Sequence, residues 1–438
     1  MYWISKSFHW LNRFKRRGLI LLAVLGPGII TMVADNDAGG ISTYAQTGAK
    51  TGFSLLWAFI LLLPMAYYVQ EMTVRLGAVT KRGHAEAIFD GFGPFWGWFS
   101  IFDLALINWL TLVTEYIGMT QAMQLFGVPA WVTLLGVTAL MFGIVMSGQY
   151  WTFEKITLFF CLFNLVYIPA ALWAMQTGNV HDGWGAVGRG FFAPQMPQGL
   201  SRSVLLTLVM ANIGTTVTPW QIFFQQSAVV DKGMDIHDIR FGKVDTFFGS
   251  LLTCVVAAFI VIATAGVFYY HPAGQMIVES AAETAAKMPD VLPSHHWGDW
   301  AKVLFAIGLF DAGLLGALCI SLSTSWAVGE VFGWAHSLNK SVREAPWFYA
   351  VYLVMLLSAG VVSLVASIQL QNAITVFVQV VAVTLLPAAL VFLILLLNDK
   401  PLMGEHVNTP WQNFVNWTIV IFVIAVSTIF GVSALFPT

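Results

Sequence analysis

Residues 26–46, "GPGIITMVADNDAGGISTYAQ", begin as a membrane-spanning helix and then place Asp35, Asn36 and Asp37 in a row, followed by Ala38, Gly39 and Gly40. Carboxylates in the middle of a bilayer are expensive and mark functional positions, and glycine weakens a helix. A second interruption of the same kind lies at residues 210–226, "MANIGTTVTPWQIFFQQ", where Asn212, Gly214, Thr215, Thr216, Thr218 and Pro219 break an apolar run. By the span assignment below, five helices separate the start of the first broken span from the start of the second. An odd number of spans per repeat inverts one half of the chain relative to the other across the membrane. Two broken segments at corresponding positions of such halves point to the central binding site of a transporter.

The rest of the chain agrees with a membrane setting. Of its 438 residues 58% are hydrophobic and only 10% charged, against about a quarter charged in soluble domains; the mean hydropathy is +0.77. Runs of roughly 20 apolar residues recur, and they place eleven spans at 19–47, 52–78, 93–126, 129–147, 153–176, 202–226, 243–271, 299–333, 346–366, 370–397 and 411–436. The expectation is an all-α polytopic membrane protein, one transporter domain over 1–438. Its inverted repeats cover 19–176 and 202–397, and residues 411–436 form an extra helix. With the N-terminus inside, the loops and span ends on that side collect the basic start "RFKRRG", Arg75, Lys81, Arg82, Lys155, Lys232, Arg240, Lys243, Lys340, Arg343 and Lys400. Lys50, Arg189, Arg202, Lys287 and Lys302 fall on the other side. That asymmetry sets an N-in, C-out orientation in the cell membrane, and no removable signal peptide is expected. The polar stretches 177–201 and 272–298 fall outside, the second able to form a short helix along the surface. Cys161, Cys254 and Cys319 sit inside apolar runs without metal-ligand spacing and read as small core residues.

The breaks carry the chemistry. Unwinding a helix frees backbone carbonyls, a cation supplies their partner, and an adjacent carboxylate balances the charge. Asp37, at the centre of the first break, is the leading ligand candidate. Asp35 points into the same cavity if the chain there is extended, and elsewhere if the helix persists past it. Asn36 either offers its amide oxygen or stitches helices together. Across from them, Thr215, Thr216 and Thr218 offer only hydroxyl and carbonyl oxygens, a set suited to hard ions such as Mg²⁺ and Mn²⁺. Mg²⁺ keeps several waters, and Gly39, Gly40 and the threonines leave room for them. Gln379, a lone amide in the tenth span, is either an interhelical hydrogen bond or a contact to a hydrated ion.

Other acids fall in or near spans: Glu71, Asp103, Glu115, Asp245 and Asp311. Glu71 has Arg75 one turn on and reads as an ion pair. Asp245 follows Arg240 and Lys243 and reads as a local ion pair. Glu115, deep and without a basic partner, is either a proton carrier or a protonated acid bonded to a neighbour. The histidines fall in loops or at span ends, so no mid-membrane His is available to relay protons. No nucleophile–base set, Walker motif or nucleotide-binding glycine pattern appears, so the chain is not expected to be an enzyme. No resident cofactor or nucleic-acid partner is expected, and a monomer suffices.

Taken together, "GPGIITMVADNDAGGISTYAQTGAKTGFSLLW", "IGTTVTPWQIFFQQS", "VQVVAVTLLPAALVF" and "LMGEHVNTPW" resemble the first, sixth and tenth helices and the loop before the eleventh in the Nramp divalent-metal transporters. The resemblance runs along nearly the whole chain and implies eleven helices in an inverted-repeat, LeuT-like fold with helices 1 and 6 unwound. It puts Asp37 at the family's metal-binding aspartate, Thr215 where a backbone carbonyl serves, and Gln379 at the tenth-helix glutamine. The departures are Ala38 for a proline, Gly40 for an asparagine ligand and Thr218 for the thioether ligand. Trp220 and Gln225 stand for histidines, and Leu112 for the aspartate partnering Glu115. The soft ligand and most proton-carrying groups are gone, so the chain looks most like the Nramp-related magnesium transporter branch. The expected function is uncoupled import of Mg²⁺ and Mn²⁺ as hydrated ions; the alternative is a proton-coupled Mn²⁺/Fe²⁺ importer using Glu115 and Asp35.

Overall fold

The computed structural model describes residues 26–193, 195–197, 199–292 and 295–435. The start of the first expected span, the stretch "RFKRRG" and the end of the last span lie outside the described residues. Among the described residues every regular element is helical. Nine helices among the described residues are long and apolar enough to cross a membrane, and their ends fall close to the expected ones: Pro346–Val365 against 346–366, Ile368–Asn398 against 370–397. Two of the eleven expected spans are not among the nine. The fourth, Ala130–Val145, has only 16 residues, and the first is split into two short helices.

Those two are α1 (Pro27–Ala34) and α2 (Ala38–Thr51). Pro27 at the first helical position suits the start of α1. Helix α1 stops because Asp37 turns extended (φ −72°, ψ 178°) and caps α2, its Oδ1 accepting the Gly40 N–H at 2.6 Å. Then follow α3 (Trp57–Thr80), α4 (His84–Phe92), α5 (Pro94–Gln124), α6 (Ala130–Val145), α7 (Tyr150–Cys161) and, after a 3₁₀ segment at Leu162–Val166, α8 (Tyr167–Met175) and α9 (Gly183–Phe192). The second broken span is α10 (Arg202–Gly214) and α11 (Pro219–Lys232). Here Thr218 is the extended N-cap, its N–H donating to Gln221 Oε1 at 3.0 Å, and Pro219 opens the helix. The chain ends with α12 (Ile239–Thr264), α13 (Ala281–Val291), α14 (His295–Phe332), α15 (Pro346–Val365), α16 (Ile368–Asn398), α17 (Lys400–Met403) and α18 (Pro410–Leu435). Helix α13 is the short helix anticipated in 272–298; it buries Ala281, Thr284, Ala285 and Met288 against α14 and α2.

The broken helices occupy the middle of the bundle, where α1 and α2 pack on α12, and α10 packs on α16. In lipid, helices associate through close packing of small residues rather than hydrophobic burial. A Cβ on Gly249 would lie 2.7 Å from Gly28 O, and one on Gly48 2.1 Å from Thr264 Oγ1. Phe102, Val354, Phe377 and Ile421 project outward from the surrounding helices, as a lipid-facing surface requires.

Two expectations about acids meet different outcomes. Glu71 does pair with Arg75, at 3.1 Å, and also with Lys243 at 2.8 Å. Arg75 further donates to His406 O and Asn408 Oδ1, which fixes the loop "LMGEHVNTPW". The local ion pair expected of Asp245 is corrected: its carboxylate accepts the Gly28 and Ile29 N–H groups at 2.7 and 3.2 Å. The first turn of α1 exposes donors that lack partners of their own, and these outcompete side chains on the acid's own helix. The three cysteines are buried and free, as expected.

Candidate functional site

Both breaks are sealed inside the bundle. Asp35, Asn36, Thr215 and Gln379 are fully buried, and Asp37 and Thr218 are 1% exposed. Asp37 uses one carboxylate oxygen to cap α2, while Oδ2 has no partner among the described residues. Asp35 sits at the end of α1 in helical geometry and turns toward the second break, where the Thr218 hydroxyl donates to its Oδ1 at 3.3 Å. Its Oδ2 is also unpartnered. The helix persists to this residue, and the acid nonetheless meets the opposite break.

Gly39 and Gly40 explain how the opposite elements come so near. A Cβ on Gly40 would lie 2.5 Å from Thr215 Oγ1 and 3.3 Å from Asp37 Oδ1. One on Gly39 would lie 2.2 Å from Gln379 Nε2 and 3.3 Å from Asp37 Oδ1. The structure therefore brings Asp37, Thr215 and Gln379 around the glycine pair, with Asp35 and Thr218 adjoining. Thr215 Oγ1 and both polar atoms of the Gln379 amide are buried without partners. Buried polar groups are nearly always satisfied, so this convergence of unpartnered polar atoms marks a candidate binding site. Thr215 O, by contrast, accepts a long hydrogen bond from the Tyr44 hydroxyl, at 3.4 Å.

Asn36 points another way, its Nδ2 donating to Thr253 O on α12 at 3.3 Å. Gly40 has no side chain to offer; its N–H goes to Asp37 and its small size makes the space. Glu115, on α5, accepts the Ala38 N–H at 2.9 Å and the Thr114 hydroxyl at 3.2 Å. It thus holds the first turn of α2 alongside Asp37. Asp35, Asp37 and Glu115 lie within electrostatic reach of one another. Like charges buried together demand cations or protons. Sequence reasoning missed three contributors: Tyr44, Gln221 and the Asp245 clamp. Tyr44 and Asp245 act through partners distant in sequence, which no local pattern signals, whereas Gln221, three residues after Thr218, completes a capping-box pattern that the sequence does carry.

Comparison with known proteins shows what the chain as a whole is similar to. Residues 28–433 match the family described as natural resistance-associated macrophage protein-like, Nramp. The "Divalent metal cation transporter MntH" of Listeria innocua is 26% identical over 92% of this chain and 88% of its own length. A manganese transporter structure from Eremococcus coleocola superposes with a TM-score of 0.76 at 21% identity, over 93% of this chain and 86% of that one. The structure of MhsT with L-phenylalanine superposes at 0.59 and 14% identity, over 91% of this chain and 98% of that one.

Proposed function

Because the chain belongs to the Nramp family, we propose that it is a membrane transporter that imports Mg²⁺ and Mn²⁺ as partly hydrated ions, by alternating access and without proton coupling. The observation carrying this reading is the donor set: unpartnered oxygens of Asp35, Asp37, Thr215 and Gln379 around two glycines. In this reading Asp37 supplies the charge, Thr215 and Gln379 meet the ion or its waters, and Asp35 and Thr218 complete the seat. Gly40 makes room for the waters, and Asn36 holds α1 to α12. An all-oxygen seat suits hard ions, and Mg²⁺ sheds water reluctantly. Cys254 lies within electrostatic reach of Asp35, but as a neutral thiol it is a weak ligand.

Uncoupled import is thermodynamically sufficient. Two charges moving inward across about 100 mV gain about 4.6 kcal/mol, twice the single-charge value. That supports roughly thousand-fold accumulation. Glu115 is committed to the backbone of α2 and to Thr114, which suits positioning the break rather than carrying protons. The repeats 19–176 and 202–397 exchange access around the seat, with the N-terminus cytoplasmic and one chain sufficient.

The test is uptake into proteoliposomes holding a pH dye. Mg²⁺ and Mn²⁺ enter with no internal acidification. Metal-driven proton entry, together with strong Fe²⁺ competition, would replace this reading with a proton-coupled Mn²⁺/Fe²⁺ importer.

A further inference from the structure

A second set of unsatisfied polar groups lies away from the breaks. Asp311, on α14, is 4% exposed, and neither carboxylate oxygen has a partner among the described residues. Its surroundings come from the 3₁₀ segment between α7 and α8, which packs on α14. In a 3₁₀ helix, residues three apart eclipse one another, and such a stretch within a longer helix often marks a functional hinge. Cys161, Asn164 and Tyr167 are three apart and buried, whereas Leu162 and Leu165, between them, are exposed. The inward face is therefore Cys161, Asn164 and Tyr167. Both ends of that face lie within electrostatic reach of Asp311. The Tyr167 hydroxyl sits 2.7 Å from where a Cβ on Gly308 would be, one turn from Asp311. The Asn164 amide and the Tyr167 hydroxyl are also buried without partners.

This cluster is separate from the divalent seat. A Cβ on Gly316 would lie 3.0 Å from Asp37 Cβ, and one on Gly313 3.0 Å from Glu115 O, so these residues turn that side of α14 toward α2 and α5. Asp311 is two residues before Gly313, about 200° around the helix, and so faces the other way.

One carboxylate, one amide and one phenol supply oxygen donors and a single negative charge, with no basic side chain among the described residues bonded to it. None of the three hydrogen-bonds another or any other described residue. A buried charge needs a counter-charge, oxygen donors suit a hard ion, and one carboxylate balances a charge of one. We propose that Asp311, Asn164 and Tyr167 form a second cation site, for sodium, on the face of α14 opposite the divalent seat. An ion there ties α14 to the hinge between α7 and α8 while the far side of the same helix walls the divalent seat.

The test is saturable binding of radiolabelled sodium to the purified full chain without divalent metal. Wild type binds. Asp311→Asn loses at least about tenfold in affinity and Tyr167→Phe about threefold, each tenfold being 1.4 kcal/mol. Asp37→Ala retains sodium binding, because its carboxylate belongs to the other seat. Asn164→Leu serves as a second knockout if Asp311→Asn fails to fold, judged by gel-filtration elution. No saturable binding in wild type overturns the site, as does equal binding by wild type and the Asp311 or Asn164 variant. A wild type that responds to protons alone also overturns it, assigning a neutral, protonated Asp311. The readout needs no divalent ion, so these failures leave the proposed metal transport standing.

Discussion

The two breaks solve the same problem, stopping a helix in mid-membrane, with opposite means. The first, between α1 and α2, uses charge: Asp37 and Glu115 take the N–H groups of Gly40 and Ala38, and Asp35 ends α1. The second, between α10 and α11, uses neutral groups: Gln221 takes the Thr218 N–H, and Pro219 has no N–H to satisfy. The first break therefore gathers buried acids that demand cations or protons, whereas the second is built from neutral groups. In the proposed function the acids set how much charge is bound, and the threonines set how hard the ion must be.

The largest expected effect comes from removing the charged side. Asp37→Ala abolishes uptake of both Mg²⁺ and Mn²⁺ in proteoliposomes, a fall of more than about a hundredfold, since it removes both a ligand and the cap of α2. Unchanged uptake would dissolve the asymmetry between the breaks. Next comes the exchange of hardness. Thr218→Met places a thioether against Asp35, and competition assays should show Cd²⁺ gaining about tenfold over Mg²⁺. An unaltered selectivity order would mean that the neutral side does not read the ion. Gly39→Ala drives a Cβ into the Gln379 amide and should lower the uptake rate about fivefold, with overpacking costing about 1–3 kcal/mol of stability. Normal rates would show that the space between the breaks is not used. Asn36→Ala is expected to cost stability, about 1 kcal/mol for a buried hydrogen bond, with uptake within about twofold of wild type. A transport loss there far exceeding the stability loss would move Asn36 into the seat. Smallest of all, Cys254→Ser should leave the Mg²⁺ to Mn²⁺ ratio unchanged; a lost Mn²⁺ preference would make the thiol a ligand.

Much of this was legible in the sequence because a membrane imposes coarse rules. Apolar length marked the spans, and Asp and Gly at 35–40 and Thr and Pro at 215–219 marked the breaks to within a residue or two. The orientation of individual acids was not legible. Whether Asp35 faced the seat depended on Thr218, a residue 183 positions away. Glu115 was open between two roles because its partner, the Ala38 N–H, is a backbone group that no residue type announces. Asp245 was misread because nearby Arg240 and Lys243 make a plausible local pair, while its actual partners are the bare first-turn donors of another helix. The same blindness hid the face formed by Cys161, Asn164 and Tyr167, which runs from the end of α7 through the 3₁₀ segment to the start of α8 and shows only once that segment is known.

Helix α1 has a mechanical consequence. At eight residues it is a rod about 12 Å long, pinned at both ends. One pin is the break itself; the other is a single carboxylate, Asp245, 217 positions along the chain from Gly28. Charge-assisted hydrogen bonds of this kind are worth about 1.5–3 kcal/mol each, comparable with the several-kilocalorie differences by which a ligand shifts a two-state balance. Making or breaking the Asp245 clamp is therefore a change of the size that a bound ligand can drive.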